Sequence, residues 1–300
     1  MTQPIENLPK KTTVCALLTC FNRRDKTLVC LRALAASTGL SAVELSAVLV
    51  DDGSTDGTAE AVLREFPWVR VLRSADNLFW CRGMHLAFDH AMRTGFDFYL
   101  WLNDDTVLQP DALARLVRCE AGLRLQAGGP VIVAGSTVDA LTGVVSYGGE
   151  RRPSRLRPLH VVRVQPGPVP QRCDSMTGNI VLVAAAVAAR VGNLEARFEH
   201  SMGDTDYALR ASRCGVQVWV GEGVHGTCSD NPQRNTWCDK SLPLAARWRD
   251  MNTRKGLPWR SWLTLTRRHA GVLWPLHFAL PYVKVVAQSA LRRRGPQAMR

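Results

Sequence analysis

The stretch Phe96-Asp97-Phe98-Tyr99-Leu100-Trp101-Leu102-Asn103-Asp104-Asp105-Thr106 decides the fold of this 300-residue chain. Residues 96–102 follow Gly95 and are mostly aromatic or aliphatic, a pattern that predicts a buried β-strand. Two adjacent carboxylates, Asp104 and Asp105, stand where that strand ends. Because ligands of open α/β sheets bind beyond the carboxyl ends of the strands, this position suits a functional site.

Two adjacent acids repel each other, and their burial is costly unless a cation or hydrogen-bond donors neutralise them. A divalent cation that also contacts a diphosphate would do this, and an oxygen-rich site suits Mg²⁺ or Mn²⁺. The alternative is a solvated turn in which an Asp caps a helix that begins near Pro110. Taken alone, the Asp104–Asp105 pair favours the solvated turn, because adjacent acids are common in turns.

The N-terminal half alternates predicted strands and helices, which is typical of parallel βαβ units. The predicted strands are residues 14–19, 46–50, 69–72 and 98–102, and the predicted helices are residues 26–36, 59–66 and 83–93. The second strand ends in Asp51-Asp52, just as the fourth ends in Asp104-Asp105. Because both acidic pairs would face the same edge of one sheet, their coincidence favours a site over a turn.

Asp52 is followed by Gly53 and Ser54, so the chain can turn sharply and leave this carboxylate free to accept from a nucleobase N–H or from ribose hydroxyls. Residues 19–23, after the first strand, hold neither the glycines of a Rossmann dinucleotide site nor a Walker loop. A bound nucleotide would therefore rely on a metal rather than on a glycine cradle. The alternative for residues 51–58 is an Asx-rich turn and helix cap.

Composition narrows the class of partner. A formal net charge of +12 favours anionic partners such as phosphorylated substrates, acidic lipid or nucleic acid. The hydrophobic content of 46% is that of a globular protein and excludes wholesale disorder.

The 9 scattered cysteines lack a Cys-x-x-Cys spacing, which argues against a zinc site or a disulfide scaffold and favours reduced thiols in a cytoplasm. The apolar stretch 14–20 is too short for a signal peptide.

Three motifs, in this order along the chain, resemble the family 2 inverting glycosyltransferases with a GT-A fold. They are Leu17-Leu18-Thr19-Cys20-Phe21-Asn22-Arg23, Val48-Leu49-Val50-Asp51-Asp52-Gly53-Ser54-Thr55-Asp56-Gly57-Thr58 and Asn103-Asp104-Asp105. Residues 77–84 also resemble the segment that this family places before its Asp-Asp motif. The resemblance implies an α/β fold of GT-A type, with a Rossmann-like, mostly parallel central sheet flanked by helices.

The resemblance also divides the chain. Residues 1–12 would be an N-terminal tail, residues 13–230 the GT-A catalytic domain, and residues 231–300 a C-terminal helical extension rich in basic and aromatic residues. Within the catalytic domain, residues 13–110 would form the nucleotide-sugar half and residues 111–230 the acceptor half.

The resemblance implies roles for particular residues. Those implied to bind the nucleotide-sugar are Thr19, mostly through its main chain, Asp52 at the base, Asn77 in the segment before the Asp-Asp motif, and Asp104 near the ribose. Asp105 is implied to coordinate Mg²⁺ or Mn²⁺ at the diphosphate. Asn103 stands where many members of the family carry Asp, but an aspartate at this position is not required.

The catalytic base is expected at Asp204, which matches the second residue of the Glu-Asp motif of this family, although Gly203 replaces the Glu. An inverting transfer needs one base, which takes the proton from the acceptor hydroxyl as its oxygen attacks the anomeric carbon. Asp206 is better interpreted as a helix-face ion pair with Arg210, four residues along. Glu199 is the next candidate for the base.

Two further segments of the second half leave alternatives open. Some GT-A enzymes complete the metal shell with a histidine after the strand predicted at residues 216–220, which makes His225 a candidate metal ligand; the alternative is an idle histidine in a loop. Residues 151–171 are either a loop or β-excursion over the acceptor side, or a surface linker.

The C-terminal segment interleaves tryptophans with Arg and Lys. We expect no nucleic-acid partner, because no nucleic-acid-binding module pattern is present. Residues 270–291 are mostly apolar, but Pro275, Pro281 and Lys284 argue against a clean transmembrane helix. They fit either an interfacial element on an anionic membrane surface, flanked by basic residues including Arg292, Arg293 and Arg294, or a helix that packs on the catalytic domain or on another subunit.

These features predict a metal-dependent inverting glycosyltransferase that moves a sugar from a nucleotide-diphosphate sugar to a hydroxyl of a glycan or lipid-linked acceptor. We expect it to be cytoplasmic, peripheral on the inner face of the cytoplasmic membrane, and compatible with oligomer formation. The segments 77–84 and 231–300 lean toward bacterial cell-surface polysaccharide assembly, including rhamnosyltransferases. The alternatives are a sugar nucleotidyltransferase, for which the first loop lacks glycines, and a non-enzymatic, membrane-associated polyanion-binding protein.

Overall fold

The structure is a computed structural model and describes residues 11–75, 77–230 and 235–294. Its strands are β1 (Thr12–Cys20), β2 (Val43–Asp51), β3 (Val69–Arg73), β4 (Phe98–Leu102), β5 (Val107–Leu108), β6 (Ile132–Val138), β7 (Val145–Tyr147), β8 (Gly149–Arg151), β9 (Val162–Arg163), β10 (Gln171–Cys173), β11 (Ser175–Met176), β12 (Ile180–Ala184) and β13 (Val218–Thr227). Its α-helices are α1 (Arg24–Ala35), α2 (Thr58–Glu65), α3 (Phe79–Thr94), α4 (Ala112–Ala127), α5 (Ala185–Val191), α6 (Gly203–Arg213), α7 (Leu244–Met251), α8 (Trp259–His269) and α9 (Trp274–Arg294). Residues 1–10 of the predicted tail lie outside the described residues.

A central sheet of ten strands organises the molecule, in the order β10-β13-β6-β12-β4-β1-β2-β3, with β5 paired to β13 and β7 to β6. Strands β4, β1, β2 and β3 are mutually parallel, as are β6 and β13. Strand β12 runs antiparallel between β4 and β6. The predicted mostly parallel sheet flanked by helices is confirmed.

The reversed direction of β12 positions the site. Residues 178–179 precede β12 and therefore lie at the edge of the sheet where residues 103–105 follow β4. The backbone N–H of Asn103 donates to the carbonyl of Asn179 over 3.0 Å. Two segments that are far apart in sequence are thus joined at the carboxyl edge of the parallel strands.

The hydrophobic core lies on both faces of the sheet, because side chains alternate between its two sides. One face packs against α3, α5 and α6, and Trp101 makes edge-to-face contacts there with Phe88 and Tyr207, at ring-centroid distances of 5.8 and 4.9 Å. The other face packs against α1 and α4 through residues such as Leu31 and Leu116. The buried strands thereby hold their polar ends in fixed positions at the sheet edge.

Most predicted element boundaries agree with the structure within three residues, but α3 begins at Phe79, four residues before the predicted start at residue 83. The reason is tertiary: the carboxylate of Asp52 accepts the backbone N–H groups of Leu78 and Phe79 and so supplies the cap that the local sequence lacks. The segment 151–171 takes the β-excursion alternative, and strands β8, β9 and β11 form a small second sheet there.

The C-terminal helices pack on the part of the chain that precedes them. Leu265 of α8 is 3% exposed and belongs to the same core cluster as Trp101, and Trp262 packs against that cluster. The extension therefore shares the core of the residues before it. Among the helices of the described residues, none has both the length and the apolar character that crossing a membrane requires.

Candidate active site

The two acidic pairs lie at one edge of the sheet, on either side of the end of β1. Strand β1 is hydrogen-bonded between β2 and β4, Asp52 follows β2 directly, and Asp104 lies two residues after β4. The loop after β1 is tied to the turn after β2, because the Asn22 N–H donates to Ser54 Oγ over 2.9 Å. Three loops therefore converge at this edge.

The Asp104–Asp105 pair holds the guanidinium of Arg23. Arg23 Nη1 donates to Asp104 Oδ1 over 2.9 Å, and Nη2 donates to Asp105 Oδ2 over 2.6 Å, so one planar cation spans both carboxylates. Asp104 is buried, and burial raises its pKa to about 7 although Arg23 opposes the shift. Asp105 is more open, with a side chain that is 21% exposed.

The acid pair fits a divalent cation that is shared with a phosphorylated ligand. A guanidinium already bridges its oxygens, and carboxylate oxygens suit Mg²⁺ or Mn²⁺. Asn103 adds no oxygen, because its Oδ1 accepts a hydrogen bond from Trp80 Nε1 over 2.7 Å. In the described part of the chain, no group of three or more His, Cys, Asp or Glu side chains is placed to hold a metal ion. A bound diphosphate would therefore supply further oxygens, and Arg23 would give up at least one bond.

Asp52 is engaged by the start of α3. Its Oδ1 accepts the Leu78 N–H over 2.6 Å and its Oδ2 accepts the Phe79 N–H over 2.8 Å. Phe79 has a φ of 61°, a left-handed conformation that is costly for an aromatic residue and clusters at functional sites. Because a carboxylate has about four acceptor positions, Asp52 keeps the capacity to accept from a nucleobase or ribose.

Thr19 and Asn77 flank the same cleft edge. Asn77, just before α3, is exposed and has a φ of 50°. Thr19 packs against Gly83 of α3, where a Cβ would collide with the Thr19 hydroxyl. The glycine therefore lets α3 approach the end of β1 closely and brings segment 77–84 beside Asp52.

Asp204 is the second residue of α6, and both of its oxygens accept backbone N–H groups. Oδ2 accepts from Gly178 over 3.0 Å and Oδ1 accepts from Thr205 over 2.8 Å. Burial raises the pKa of Asp204, and this effect outweighs the hydrogen bonds that favour the charged form. A raised pKa brings this carboxylate closer to the range in which a general base works best.

A second acid, Glu150 of β8, lies beside Asp204. Burial, together with the negative charge of Asp204, raises the pKa of Glu150 to about 7, although the hydroxyl of Ser175 opposes the shift. Burial thus raises the pKa of both neighbouring carboxyl groups, and such perturbed acids are frequent at catalytic sites.

Trp80 joins the acid pair to Asp204. Its indole Nε1–H donates to Asn103 Oδ1, directly before the acid pair, and its ring packs on Gly178, where a Cβ would collide with it. The N–H of the same Gly178 donates to Asp204. One rigid side chain thus connects the predicted metal motif to the predicted base.

The alternative bases are occupied by other partners. Asp206 forms the predicted ion pair with Arg210, over 2.7 Å, which confirms that interpretation. The pair is buried, and Asp206 also accepts from Arg268 and from His269 Nε2, the latter over 2.9 Å. Burial alone would raise the pKa of Asp206, but the hydrogen bonds from His269 and Arg210 lower it.

Glu199, the next candidate for the base, also has cationic partners. It pairs with Arg254 over 2.6 Å and with Arg82 over 3.5 Å. Both of its carboxylate oxygens are therefore held by guanidinium groups.

His225 does not lie in a loop after a strand that ends at residue 220, because β13 extends to Thr227. His225 lies in β13, is fully buried, and packs beside Gly135 and Gly221. Burial lowers its pKa to about 4, and the charge of Arg115 adds to that effect, so the ring is neutral at pH 7. A neutral ring is the form that binds metal, but His225 belongs to no cluster of metal-ligating side chains among the described residues. Its role as a ligand stays a prediction.

Sequence reasoning missed several site residues. Arg23 and Trp80 stand inside quoted motifs, but nothing in the sequence shows that they contact Asp104, Asp105 or Asn103. Arg254 comes from the C-terminal extension, and its guanidinium lies 4.7 Å from the ring centroid of Phe79. Its only sequence signal is the basic and aromatic composition of that extension.

The family model described as "Glycosyl transferase family 2" matches residues 15–181 of this chain. The search of curated proteins gave no match.

Three solved structures share the fold at low sequence identity. GalNAc-T7 with UDP, GalNAc and Mn²⁺ is 12% identical, with a TM-score of 0.55, over 74% of this chain and 45% of that one. TarS 1-349 from S. aureus in complex with UDP is 11% identical, with a TM-score of 0.53, over 85% of this chain and 70% of that one. The mannosyltransferase PcManGT from Pyrobaculum calidifontis, in complex with GDP-Man and Mn²⁺, is 16% identical, with a TM-score of 0.53, over 96% of this chain and 77% of that one. This chain thus spans less than half of the GalNAc-T7 chain. At these identities, the likeness shows a GT-A glycosyltransferase fold.

Proposed function

Because this chain belongs to glycosyl transferase family 2 and is a glycosyltransferase, we propose that it transfers a sugar with inversion from a nucleotide-diphosphate sugar to a hydroxyl of a glycan or lipid-linked acceptor. The observation that carries this proposal is the meeting of acidic side chains at one edge of the sheet. Asp52, the Asp104–Asp105 pair and Asp204 converge there, and Trp80 connects the last two. The GalNAc-T7 and PcManGT structures of the same fold contain Mn²⁺ together with a nucleotide or nucleotide-sugar, which supports a similar donor here.

The donor half of the site would fix the nucleotide and its diphosphate. Asp52, Thr19 and Asn77 border the place for the nucleoside, and Asp104 lies toward its ribose. Asp105, with Asp104 beside it, would hold Mg²⁺ or Mn²⁺, whose charge stabilises the departing diphosphate. Arg23 would keep part of the acid pair neutralised while the donor enters and leaves.

Asp204 is proposed as the base. Its carboxylate takes the proton from the acceptor hydroxyl while the oxygen of that hydroxyl forms a bond to the anomeric carbon. The bond from that carbon to the diphosphate oxygen breaks at the same time, and the nucleoside diphosphate leaves from the opposite face. The raised pKa of Asp204, its backbone hydrogen bonds and the rigid contact through Trp80 support this assignment.

We further propose that the enzyme works in the cytoplasm at the inner face of the cytoplasmic membrane, in cell-surface polysaccharide assembly. The support is the net charge of +12 and the exposure of apolar side chains such as Trp259 and Leu276 in the C-terminal helices. A rhamnosyl donor is one specific version of this proposal.

Thermal-shift measurements with nucleoside diphosphates, with and without Mn²⁺, test the donor proposal. A ligand that binds only the folded state raises the melting temperature by mass action. We expect a shift that needs both the nucleotide and the metal. If no nucleoside diphosphate produces a shift in the presence of Mn²⁺, the proposal fails.

Asp204→Asn tests the base. We expect this variant to keep the nucleotide- and Mn²⁺-dependent shift but to lose activity by about 10²–10⁴-fold, the usual contribution of general base catalysis. Transfer is measured as release of nucleoside diphosphate in the presence of acceptor. Activity that survives in Asp204→Asn would remove the base assignment and leave the fold assignment intact.

A further inference from the structure

A cavity of about 770 Å³ lies away from the acid pair, between the β-excursion and the C-terminal helices. Its walls come from residues 157–160, residues 237–240 and the helices α7, α8 and α9. The size is that of a ligand-binding cavity rather than of a packing defect. None of the residues assigned to sugar transfer lines it.

The charge of the cavity wall has one sign. Arg157, Lys240, Arg247 and Lys284 line it, and the described residues whose side chains line it include no Asp or Glu. A one-sided set of cations in a concave, partly apolar site focuses a positive potential and attracts anions.

Arg247 is the strongest indication that the cavity is an anion site. Its side chain is buried, with the residue 2% exposed, and its three hydrogen bonds go to neutral acceptors. These acceptors are the carbonyl of Trp237, Ser289 Oγ and Gln288 Oε1, at 2.9, 3.2 and 3.0 Å. Within the described residues, no carboxylate lies at ion-pair distance. A buried charge without a counter-ion is costly, so a guanidinium held in this way is suited to bind an anion.

The rest of the wall is apolar and continues onto the surface. Trp262 and Val285 lie inside, while Leu280 and Val283 line the rim and are 54% and 60% exposed. Leu276, one helical turn before Leu280, is also exposed, so an apolar stripe on α9 runs from the rim of the cavity. Such a stripe can accommodate a hydrocarbon chain.

We propose that this cavity binds a lipid phosphate, with the phosphate or diphosphate at Arg247 and Lys284 and the chain along Leu280 and Val283. The proposal deepens the proposed function, because such a ligand would be the lipid part of a lipid-linked acceptor. Arg254, in the same extension, contacts Phe79 at the donor cleft, so one C-terminal segment serves both sites.

The test uses the full-length protein and three probes: dodecyl phosphate below its micellar concentration, dodecyl maltoside as an uncharged amphiphile with the same chain, and inorganic phosphate as the headgroup alone. Isothermal titration calorimetry measures each dissociation constant. We expect dodecyl phosphate to bind at least about tenfold more tightly than either other probe, because both charge and chain are recognised. Equal affinity for dodecyl maltoside or for inorganic phosphate would overturn the proposal.

Lys284→Glu is the diagnostic variant, since Lys284 is exposed and its substitution leaves the core intact. We expect about a tenfold loss of dodecyl phosphate affinity from the reversed charge. Arg249→Glu is the matched control, an exposed cation on α7 that does not line the cavity, and it should bind as the wild type does. Equal losses in the two variants would indicate long-range attraction rather than the cavity and would also overturn the proposal.

The same variants separate this inference from the proposed function. Lys284→Glu should keep the shift in melting temperature caused by nucleotide and Mn²⁺, and Asp105→Asn should keep dodecyl phosphate binding. A protein that binds dodecyl phosphate but shows no nucleotide- and Mn²⁺-dependent shift in melting temperature would have the lipid site without the donor site. A protein that shows this shift but does not bind dodecyl phosphate would be a glycosyltransferase without a lipid site.

Discussion

The molecule has two clusters of buried charge that are built from the same residue types. One is suited to bind a cation, and the other stabilises the fold. At the cleft, two acids, Asp104 and Asp105, share one arginine, and one of the acids is partly open to solvent. In the second cluster, Asp206 is fully buried and pairs with Arg210, Arg268 and His269, and Arg268 also pairs with Glu195. The first cluster has too little positive charge and can accept a cation; the second is fully compensated and closed. The balance of charge, rather than burial or acid content, distinguishes a binding site from a structural anchor.

The largest expected effect comes from removing an acid at the cleft. In Asp105→Asn the enzyme should lose about 10³-fold in activity, because the metal contributes several kcal/mol of charge stabilisation to the leaving group. The Mn²⁺-dependent shift in melting temperature should disappear. Without metal, the variant should be as stable as the wild type or more so, since one of two repelling charges is gone. Calorimetric scans with and without Mn²⁺ measure both effects, and an unchanged Mn²⁺ response would break the comparison.

Removing the acid of the closed cluster should instead cost stability. We expect Asp206→Asn to lower the free energy of unfolding by about 3–5 kcal/mol, because Arg210 loses its buried ion pair and Arg268 keeps only Glu195. At about 2–4 °C per kcal/mol, this loss is easily seen in a thermal melt. Asp89→Asn is the matched control, since Asp89 forms a surface pair with Arg93 at the same i,i+4 spacing, and it should change stability by less than about 0.5 kcal/mol.

The pKa of Asp206 sets the pH range of this effect. Because its pKa is lowered in the folded state, its contribution is present above the unfolded pKa of about 4 and is lost as pH falls through the folded value. The stability difference between wild type and Asp206→Asn should therefore shrink on acidification below about pH 4. A difference that stays constant from neutral pH to pH 2 would mean that Asp206 acts through packing alone.

Arg23 should neutralise the Asp104–Asp105 pair when no metal ion is bound. In Arg23→Gln without metal, Asp104 keeps its burial but loses its cation, and we expect a loss of about 1–3 kcal/mol in stability. Added Mn²⁺ should restore more stability to this variant than it adds to the wild type, because the metal no longer displaces a guanidinium. Arg24→Gln, which removes an exposed pair with Asp25, is the control. If Mn²⁺ stabilises Arg23→Gln less than the wild type, Arg23 helps to bind the metal rather than competing with it.

The smallest effect is expected at Glu150. Its pKa of about 7 lies above the usual value of 4.5, so the folded state holds a proton that the unfolded state has lost between these values. Stability conferred by this group therefore falls as pH rises from about 4.5 to 7. Glu150→Gln should remove that slope and gain on the order of 1–2 kcal/mol at pH 7. Chemical denaturation at pH 5 and pH 7.5 measures it, and an identical slope in both proteins would contradict the assignment.

How far the sequence could predict the molecule differs between these regions. Local sequence patterns predicted three features of the fold. These are the strand before Asp104, the turn after Asp51 and the alternation of strands and helices. The meeting of the two acidic pairs was also predictable, because the carboxyl ends of parallel strands lie at the same edge of a sheet. The donor half was therefore predictable in outline.

The rest depends on contacts that no local pattern encodes. Nothing near Arg23 indicates that it bridges two carboxylates about 80 residues away. The early start of α3 depends on Asp52, and the burial of the Asp206–Arg210 pair depends on Arg268 and His269 from the extension. Spacing predicted that ion pair, but only tertiary packing made it a structural anchor.

The docking of α8 also limits how freely parts of this enzyme can be exchanged. A chimera that took its C-terminal helices from another glycosyltransferase would need an equivalent of Arg268 and His269, together with an apolar side chain at the place of Leu265. Without them, Asp206 would pair with Arg210 alone in the protein interior. The apolar surface on which α8 packs would be exposed to solvent. The C-terminal helices are therefore a structural part of the fold and not a detachable module.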